Sequence, residues 1–424
     1  MPAATPFPRG PSVLTLYHAE DLLTAAGCPA CRYVAEASDR YLAWFALEGH
    51  GDAVTITRLC ASLGMCPQHT RGLMRQPGAA IRLTAVYRYL LQSARAQLTG
   101  RAASLAPCPA CARETAARDR ALDTLVTGLG GDEIRGLYRE LGGLCVPHVR
   151  AAAGLRARRQ VIGWLTESMI FRLAGEPPSL AVLAGWPDAD AGPRARLRAS
   201  VPARGAADPD ICPVCLAAAR AERDGLARLA AGPVDGRVGR AGLCPAHVHD
   251  AFAAASGDQA RAGMTALLAG QAQWSAACLA RMLSALTSRA AVQPARRLPR
   301  SALRAWGPGD CPVCCARDEA AQQETGRCRR ELMSAAAERA LHHRPGLCIR
   351  HVLTVRSADA VAGRKAAGVA AGRAARLIDE LGEASRKATW AGRHEARGPE
   401  MTAWRRAAAL LDGGVHGGGP AGAR

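Results

Sequence analysis

Cys28-Pro29-Ala30-Cys31 recurs three times, as Cys108-Pro109-Ala110-Cys111, Cys212-Pro213-Val214-Cys215 and Cys311-Pro312-Val313-Cys314. Each is answered, across 28 to 34 intervening residues, by a second half: Cys66-Pro67-Gln68-His69, Cys145-Val146-Pro147-His148, Cys244-Pro245-Ala246-His247 and Cys348-Ile349-Arg350-His351. A Gly-Met or Gly-Leu pair precedes each second half: Gly64-Met65, Gly143-Leu144, Gly242-Leu243 and Gly346-Leu347. Twelve of the sixteen cysteines and four of the eleven histidines fall into this register. Free Cys is often just a small buried hydrophobe, but that reading does not account for a fourfold register with His.

The spacing has a chemical reason. Two side chains separated by two residues at a tight turn converge on one ion, and two such half-sites supply the four ligands of a closed tetrahedral Cys3His site. Zinc accepts thiolate and imidazole together and makes no redox demand. The expectation is four structural zinc ions. Each C-P-x-C is taken to pair with the C-x-x-H that follows it, so that Cys108 and Cys111 find Cys145 and His148. Iron–sulfur ligation is the chemical alternative for such a donor set.

Both halves read as helix N-termini. Proline after the first Cys suits the first turn, where its missing N–H costs nothing. No Gly or Pro follows Cys31 before Gly49, Ala112 to Val126 is unbroken, and Leu216 to Ala231 is interrupted only by Gly225. The glycine before each C-x-x-H suits the left-handed close of a preceding helix. Helix N-termini carry partial positive charge that favours thiolate over thiol; Arg32, Arg71, Arg113, Arg150 and Arg350 are placed to add to it or to face solvent.

Between the halves, Ile56, Leu59, Cys60 and Leu63 align with Ile134, Leu137, Tyr138 and Leu141 at the spacing of one helical face. Cys60 therefore reads as core, and so does Cys278, on a stripe with Leu267, Trp274 and Met282. Long helices are expected at Ile81 to Leu98, Gln160 to Leu173, around Leu267 to Met282, and within Ala358 to Ala388. The third copy is shorter between its halves and reads as lacking the short helix. Cys315 and Cys328 are spare thiols able to exchange with the fourth site, and His249 is a competing ligand in the third. His342 and His343 read as surface residues.

Sustained β-alternation is absent, so the chain reads as all-α: four zinc-stabilised helical repeat units arranged as two pairs. The expected division is repeat 1 at 1–107, repeat 2 at 108–176, a proline-rich linker at 177–210, repeat 3 at 211–290, a second linker at 291–310, repeat 4 at 311–412 and a disordered Gly-rich tail at 413–424. The first cysteines are offset by 80, 104 and 99 residues, so the units are unequal. Aromatics are only 4% of the 424 residues, and a unit of this size with a thin core is marginal alone. Zinc binding of about 10 kcal/mol per site is then folding energy.

The repeated pattern resembles a group of bacterial proteins of unknown function whose members carry one or more such pairs. That resemblance covers the four motif regions and implies metal binding at their Cys and His, with no catalytic activity.

Composition sets the remaining expectations. The chain is +19, with 53 Arg and two Lys among 55 cations. Counted by segment the net charge is +4 over 1–107, +3 over 108–200, +5 over 201–310 and +7 over 311–424, with no concentrated block. No apolar run of membrane length and no secretory leader occur, so the cysteines are read as ligands in a reducing, cytoplasmic setting. His394-Glu395 lacks the second His of a metalloprotease motif. His18-Ala19-Glu20 and Pro107-Cys108 match a zinc deaminase by letter but fall in different repeats. Neither a P-loop nor a G-x-S-x-G elbow occurs, and the glycines at 417, 419 and 422 have no helix to open. The expected function is non-enzymatic: a protein-interaction scaffold or regulator. A redox- or zinc-responsive thiol regulator and a nucleic-acid-binding regulator are the alternatives.

Overall fold

A computed structural model describes residues 12–24, 27–77, 79–100, 105–155, 159–174, 179–185, 211–231, 243–255, 258–287, 311–334 and 346–413. Among them all regular structure is helical. The α-helices are α1 (Val13–Thr24), α2 (Pro29–Leu47), α3 (Ala53–Ala61), α4 (Pro67–Met74), α5 (Ala79–Thr99), α6 (Pro109–Gly128), α7 (Asp132–Leu141), α8 (Val146–Ala153), α9 (Arg159–Ala174), α10 (Leu180–Ala184), α11 (Pro213–Ala231), α12 (Pro245–Ala254), α13 (Asp258–Thr287), α14 (Pro312–Met333), α15 (Ile349–Ala358), α16 (Ala360–Lys387) and α17 (Ala403–Asp412), with 3-10 turns at Gly49–Gly51 and Pro399–Thr402. None is long and apolar enough to cross a membrane.

The expected elements are in place. Every C-P-x-C opens a helix at its proline, and α3 and α7 are the short helices of the first two copies. Side chains of Asp52, Ser179 and Asp359 cap α3, α10 and α16 by accepting N-terminal backbone N–H groups. The stretches 232–242 and 335–345, where the third and fourth copies differ, lie outside the described residues, as do 291–310 and 414–424. The stretch 177–210 is not linker throughout: Ser179 caps α10, which buries Leu183 and Ala184. The tail expectation fails at its first residue, because Gly413 is buried as the C-cap of α17.

Contacts do not divide the chain into four consecutive repeats. They form two units, each drawn from three stretches: Met1–Ala37, Glu114–Ala195 and Gly225–Cys315 in the first, and Ser38–Arg113, Arg196–Asp224 and Ala316–Arg424 in the second. All the unit boundaries among described residues fall inside α2, α6, α11 and α14, the four helices opened by C-P-x-C.

In the first unit α9 lies along α13, burying Val161, Ile162, Leu165 and Met169 with Met264, Leu267, Leu279 and Met282. In the second α5 lies along α16. The α16 face is almost all alanine: Ala362, Ala366, Ala367, Ala370 and Ala374, ending in Leu377 and Leu381, against Leu83, Val86, Leu90, Leu91 and Leu98 of α5. Small residues on one helix admit large ones from the other, which is how so few aromatics suffice for two cores. In both units the long partner helices come from opposite halves of the sequence.

Candidate metal centres

At each half-site the first cysteine is the helix N-cap and the second ligand is three residues on, at N3. The N-cap cysteines Cys66, Cys145, Cys244 and Cys348 share one extended conformation, with φ between −68° and −79° and ψ between 157° and 164°. N-cap and N3 side chains face one another across the first turn, as in a capping box. The x-x spacing therefore closes on one ion without backbone distortion.

The approaches to three of the C-x-x-H halves are each anchored differently. Before Cys66, Leu63 and Gly64 are both left-handed (φ +53° and +89°), matching Gly142 and Gly143 (φ +99° and +56°) before Cys145. A side chain on Gly143 would strike the Tyr138 ring at 2.2 Å. The Tyr138 hydroxyl accepts the Leu144 N–H at 3.0 Å. Before Cys244, the buried Gln271 amide accepts the Leu243 N–H at 2.9 Å and donates to the Leu243 carbonyl at 3.1 Å. The reading of those apolar positions as core was sound, yet Tyr138 also fixes the ligand turn.

The ligands gather into four sets: centre A, Cys28, Cys31, Cys145 and His148; centre B, Cys66, His69, Cys108 and Cys111; centre C, Cys212, Cys215, Cys348 and His351; centre D, Cys244, His247, Cys311 and Cys314. All sixteen candidate residues are used, and the two-pair arrangement holds, since copies 1 and 2 share A and B while copies 3 and 4 share C and D. The expected pairing within each set is corrected. Every C-P-x-C joins the C-x-x-H of the other copy in its pair, so that Cys108 and Cys111 meet Cys66 and His69, not Cys145 and His148. Centres A and D lie in the first unit, B and C in the second.

Helix length explains the crossing. The nineteen residues of α2 make a rod about 28 Å long, which carries the chain that far from its own C-P-x-C before the next half-site begins. Closing a separation of 114 residues between Cys31 and Cys145 instead of the 35 to Cys66 costs only about 1 kcal/mol. Rigid helices thus outweigh loop entropy.

The donor geometry is that of a tetrahedron. The second cysteine of each C-P-x-C stands 3.7 Å from the C-x-x-H sulfur in A, B and D and 4.0 Å from it in C, and all the ligand atoms of a set lie within 4.8 Å of one another. Sulfur to histidine Nδ1 runs from 3.1 to 3.7 Å. Tetrahedral ligands at ordinary zinc distances stand about 3.8 Å apart for two sulfurs and about 3.5 Å for sulfur and nitrogen. In all four sets Nδ1 is the nitrogen turned toward the sulfurs. Disulfides are excluded, because all sixteen cysteines are free.

Crowded thiols cannot all ionise. Cys108 is pushed down to about 3 by hydrogen bonding from Cys66 and then His69, against burial, and Cys311 likewise to about 3 by Cys244 and His247. Cys28 is held well below the usual thiol range: burial opposes ionisation, but hydrogen bonds from Cys145, Cys31 and His148 outweigh it. Cys145 moves up through burial and the neighbouring Cys28, and Cys66, Cys244 and Cys348 move up chiefly through their bonds to Cys108, Cys311 and Cys212. Burial works against charge on His148, but bonds to Cys28 and Cys31 push it up to about 10. In each set the hydrogen bonds favour charge on the first cysteine of the C-P-x-C. A divalent ion entering the set replaces the remaining protons.

Two centres are covered by a residue that the sequence reading missed. Gly185, after α10, has φ +88°, and a Cβ there would lie 2.8 Å from Cys31 Sγ and 3.3 Å from Cys145 Sγ. Gly413, after α17, has φ +108°, and its Cβ would lie 2.1 Å from Cys215 Sγ. A helix C-terminus with a left-handed glycine closes A and C alike; the signal was a short apolar helix followed by glycine (Leu180–Ala184, then Gly185). The Gly413 carbonyl accepts the Cys212 N–H at 3.1 Å. The Gly185 carbonyl is bonded by His249 Nε2 at 3.0 Å, so His249 latches the cover of A and is not a ligand of D.

The remaining cysteines stand outside every set. Cys278 accepts from Arg281 at 3.0 Å, Cys60 leans on the Tyr89 carbonyl at 3.9 Å, and burial pushes the Cys328 thiol up to about 12. Arg32 and Arg350 serve the backbone, donating to the carbonyls of Leu22 (3.0 Å) and Ser62 (3.1 Å). His342 and His343 lie outside the described residues. No family model, curated protein or solved structure matches this chain.

Proposed function

We propose that the protein is a non-enzymatic helical scaffold fastened by four structural zinc ions, presenting its helix faces to a macromolecular partner. The observation that carries this reading is the completeness of the sets: each offers four converging donors, three sulfurs and one imidazole. Such a set leaves no coordination position for substrate, which favours structure over hydrolysis. Sulfur-rich tetrahedral donors select zinc over magnesium or calcium. Sixteen free thiols suit a reducing compartment such as the cytoplasm. A cavity of about 190 Å³ next to Pro213 is lined mainly by Leu332, Leu347, Val369 and Ala370, with the Cys328 thiol and Arg373 also on its wall and Arg327 and Glu331 paired with each other.

Elemental analysis of the purified chain tests the reading, with four zinc expected per chain and no visible absorbance from iron. Exhaustive chelation is expected to abolish most helicity, and a chain that stays folded without metal refutes the structural role. One observation favours a second reading, a thiol-responsive regulator: Cys66, Cys108 and Cys111 of centre B are all half-exposed. It requires centre B to release its ion reversibly under mild peroxide.

A further inference from the structure

Residues 53–113 contain eight arginines and not one Asp or Glu, and residues 360–378 contain Arg364, Lys365, Arg373 and Arg376, again without an acid. Averages over long segments hide both stretches. The fold of the second unit brings them together, since α5 lies in the first stretch and the front two-thirds of α16 is the second.

The two helices run in opposite directions. Arg356, against which Gly363 of α16 is closely packed, donates to the carbonyls of Gln97 (3.2 Å) and Leu98 (3.0 Å) at the end of α5. Further along, the Arg88 guanidinium lies 4.0 Å from where a Cβ would project from Gly382.

The outer faces are regular. On α5 the exposed positions are Ala85, Arg88, Tyr89, Gln92, Arg95, Ala96 and Thr99, a single helical stripe. On α16, Arg364, Gly368, Gly372 and Arg376 form one row at every fourth residue. Nothing stands within 4 Å of a Cβ built on Gly368. Arg88, Arg95, Arg364 and Arg376 are exposed, and among the described residues none of their side chains has a hydrogen-bond or ion-pair partner. The acids flanking this stretch are Asp359, whose carboxylate is engaged by the Val361 and Ala362 N–H groups as the cap of α16, and Asp379; beyond it Glu380 is taken by Arg406 and Glu383 by Arg386 and Lys387.

We propose that this α5–α16 face binds the phosphodiester backbone of a nucleic acid. Guanidinium forks match phosphate oxygens in a way solvated ammonium groups do not. Arg88 and Arg95 are about 10 Å apart along α5, and Arg364 and Arg376 about 18 Å apart along α16, so they reach separate phosphates. The flat Gly368–Gly372 strip admits a sugar–phosphate chain closely. Tyr89, 54% exposed beside the arginines, offers a stacking face. These features favour nucleic acid over an acidic protein, which needs neither stacking surface nor glycine strip. The inference goes beyond the scaffold reading and does not depend on the identity of the metal.

The test uses the full metal-loaded chain and fluorescein-labelled 24-mers of mixed-sequence DNA, duplex and single-stranded, titrated from 50 to 300 mM salt. Four arginine–phosphate pairs give a log–log salt slope of about −3.6 on duplex. Neutralising one of the four arginines lowers affinity about eightfold at 0.1 M salt and flattens the slope by about 0.9. R88Q/R364Q should therefore bind about 60-fold more weakly, while R120Q/R261Q, which removes the same charge from exposed positions of the first unit, should bind as wild type. Metal content and helicity of both variants check that folding is intact. Equal weakening in the two variants reduces the effect to net charge and overturns the proposal. So does undetectable DNA binding, or a polyglutamate peptide of matched charge that competes as well as DNA, which assigns the face to acidic proteins.

Discussion

Serine at both Cys28 and Cys145 should remove one metal ion from the protein, whereas serine at both Cys28 and Cys66 should remove two. Cys28 and Cys145 belong to one set, held together through His148 at 3.3 and 3.1 Å. Cys66 closes on Cys111 and His69, 3.7 and 3.1 Å away in a different unit. A structural zinc site contributes about 10–16 kcal/mol of apparent binding free energy. Damage to a second ligand of an already broken centre adds little, and damage to a second centre costs the full amount again. The two double variants should then differ by most of one site, far above the roughly 0.5 kcal/mol within which independent substitutions add. The assay is elemental analysis after passage over a chelating resin, supported by cobalt substitution, whose thiolate absorbance counts intact centres. Three ions are expected in C28S/C145S and two in C28S/C66S. The opposite result, three ions in C28S/C66S and two in C28S/C145S, is what consecutive pairing requires and would refute the crossed arrangement.

Other expectations follow from the covers, the anchors and the thiols. Gly413→Ala places a Cβ 2.1 Å from Cys215 Sγ in a left-handed conformation, which costs an L-residue about 1–2 kcal/mol; chelator competition should show one ion of four leaving at least tenfold faster. His249→Ala unlatches Gly185 and should speed the loss of one ion several-fold while leaving four bound at rest, a readout that a ligand substitution would not give. Tyr138→Phe strands the buried Leu144 N–H and should lower stability by about 1–3 kcal/mol in chemical denaturation. Cys60→Ser and Cys278→Ala should keep four ions and cost much less helicity than Cys145→Ser. Under graded chelation or peroxide the first ion lost should come from centre B, and Cys108→Ser should remove that first phase.

Local structure was legible because it is dictated locally. Pro29, Pro109, Pro213 and Pro312 each mark a first helical turn, and the long helices after the C-x-x-H halves end within a few residues of where their apolar stripes end. The sixteen ligands were equally legible, since the C-x-x spacing is a property of one turn. Which half meets which was not, because every C-P-x-C is chemically interchangeable with every other; the clue lay in the unbroken length of α2 and α6. Gly185 and Gly413 were hidden for a related reason. Their role is defined by sulfurs from distant parts of the chain, and in sequence they resemble any glycine after a helix. Charge counted along the chain likewise missed a face that exists only once α5 and α16 lie side by side.

The crossed, nested sets impose an order on synthesis. As the polypeptide leaves the ribosome, Cys28 and Cys31 must wait for Cys145 and His148, whereas Cys66 and His69 can close as soon as Cys111 emerges. The inner clasp of each half is therefore made before the outer one. Even then α9 and α5 lack their partners until α13 and α16 have been translated. An amino-terminal half released alone would hold metal yet leave both its long helices with apolar flanks bare, a substrate for chaperones and proteases instead of a miniature of the whole.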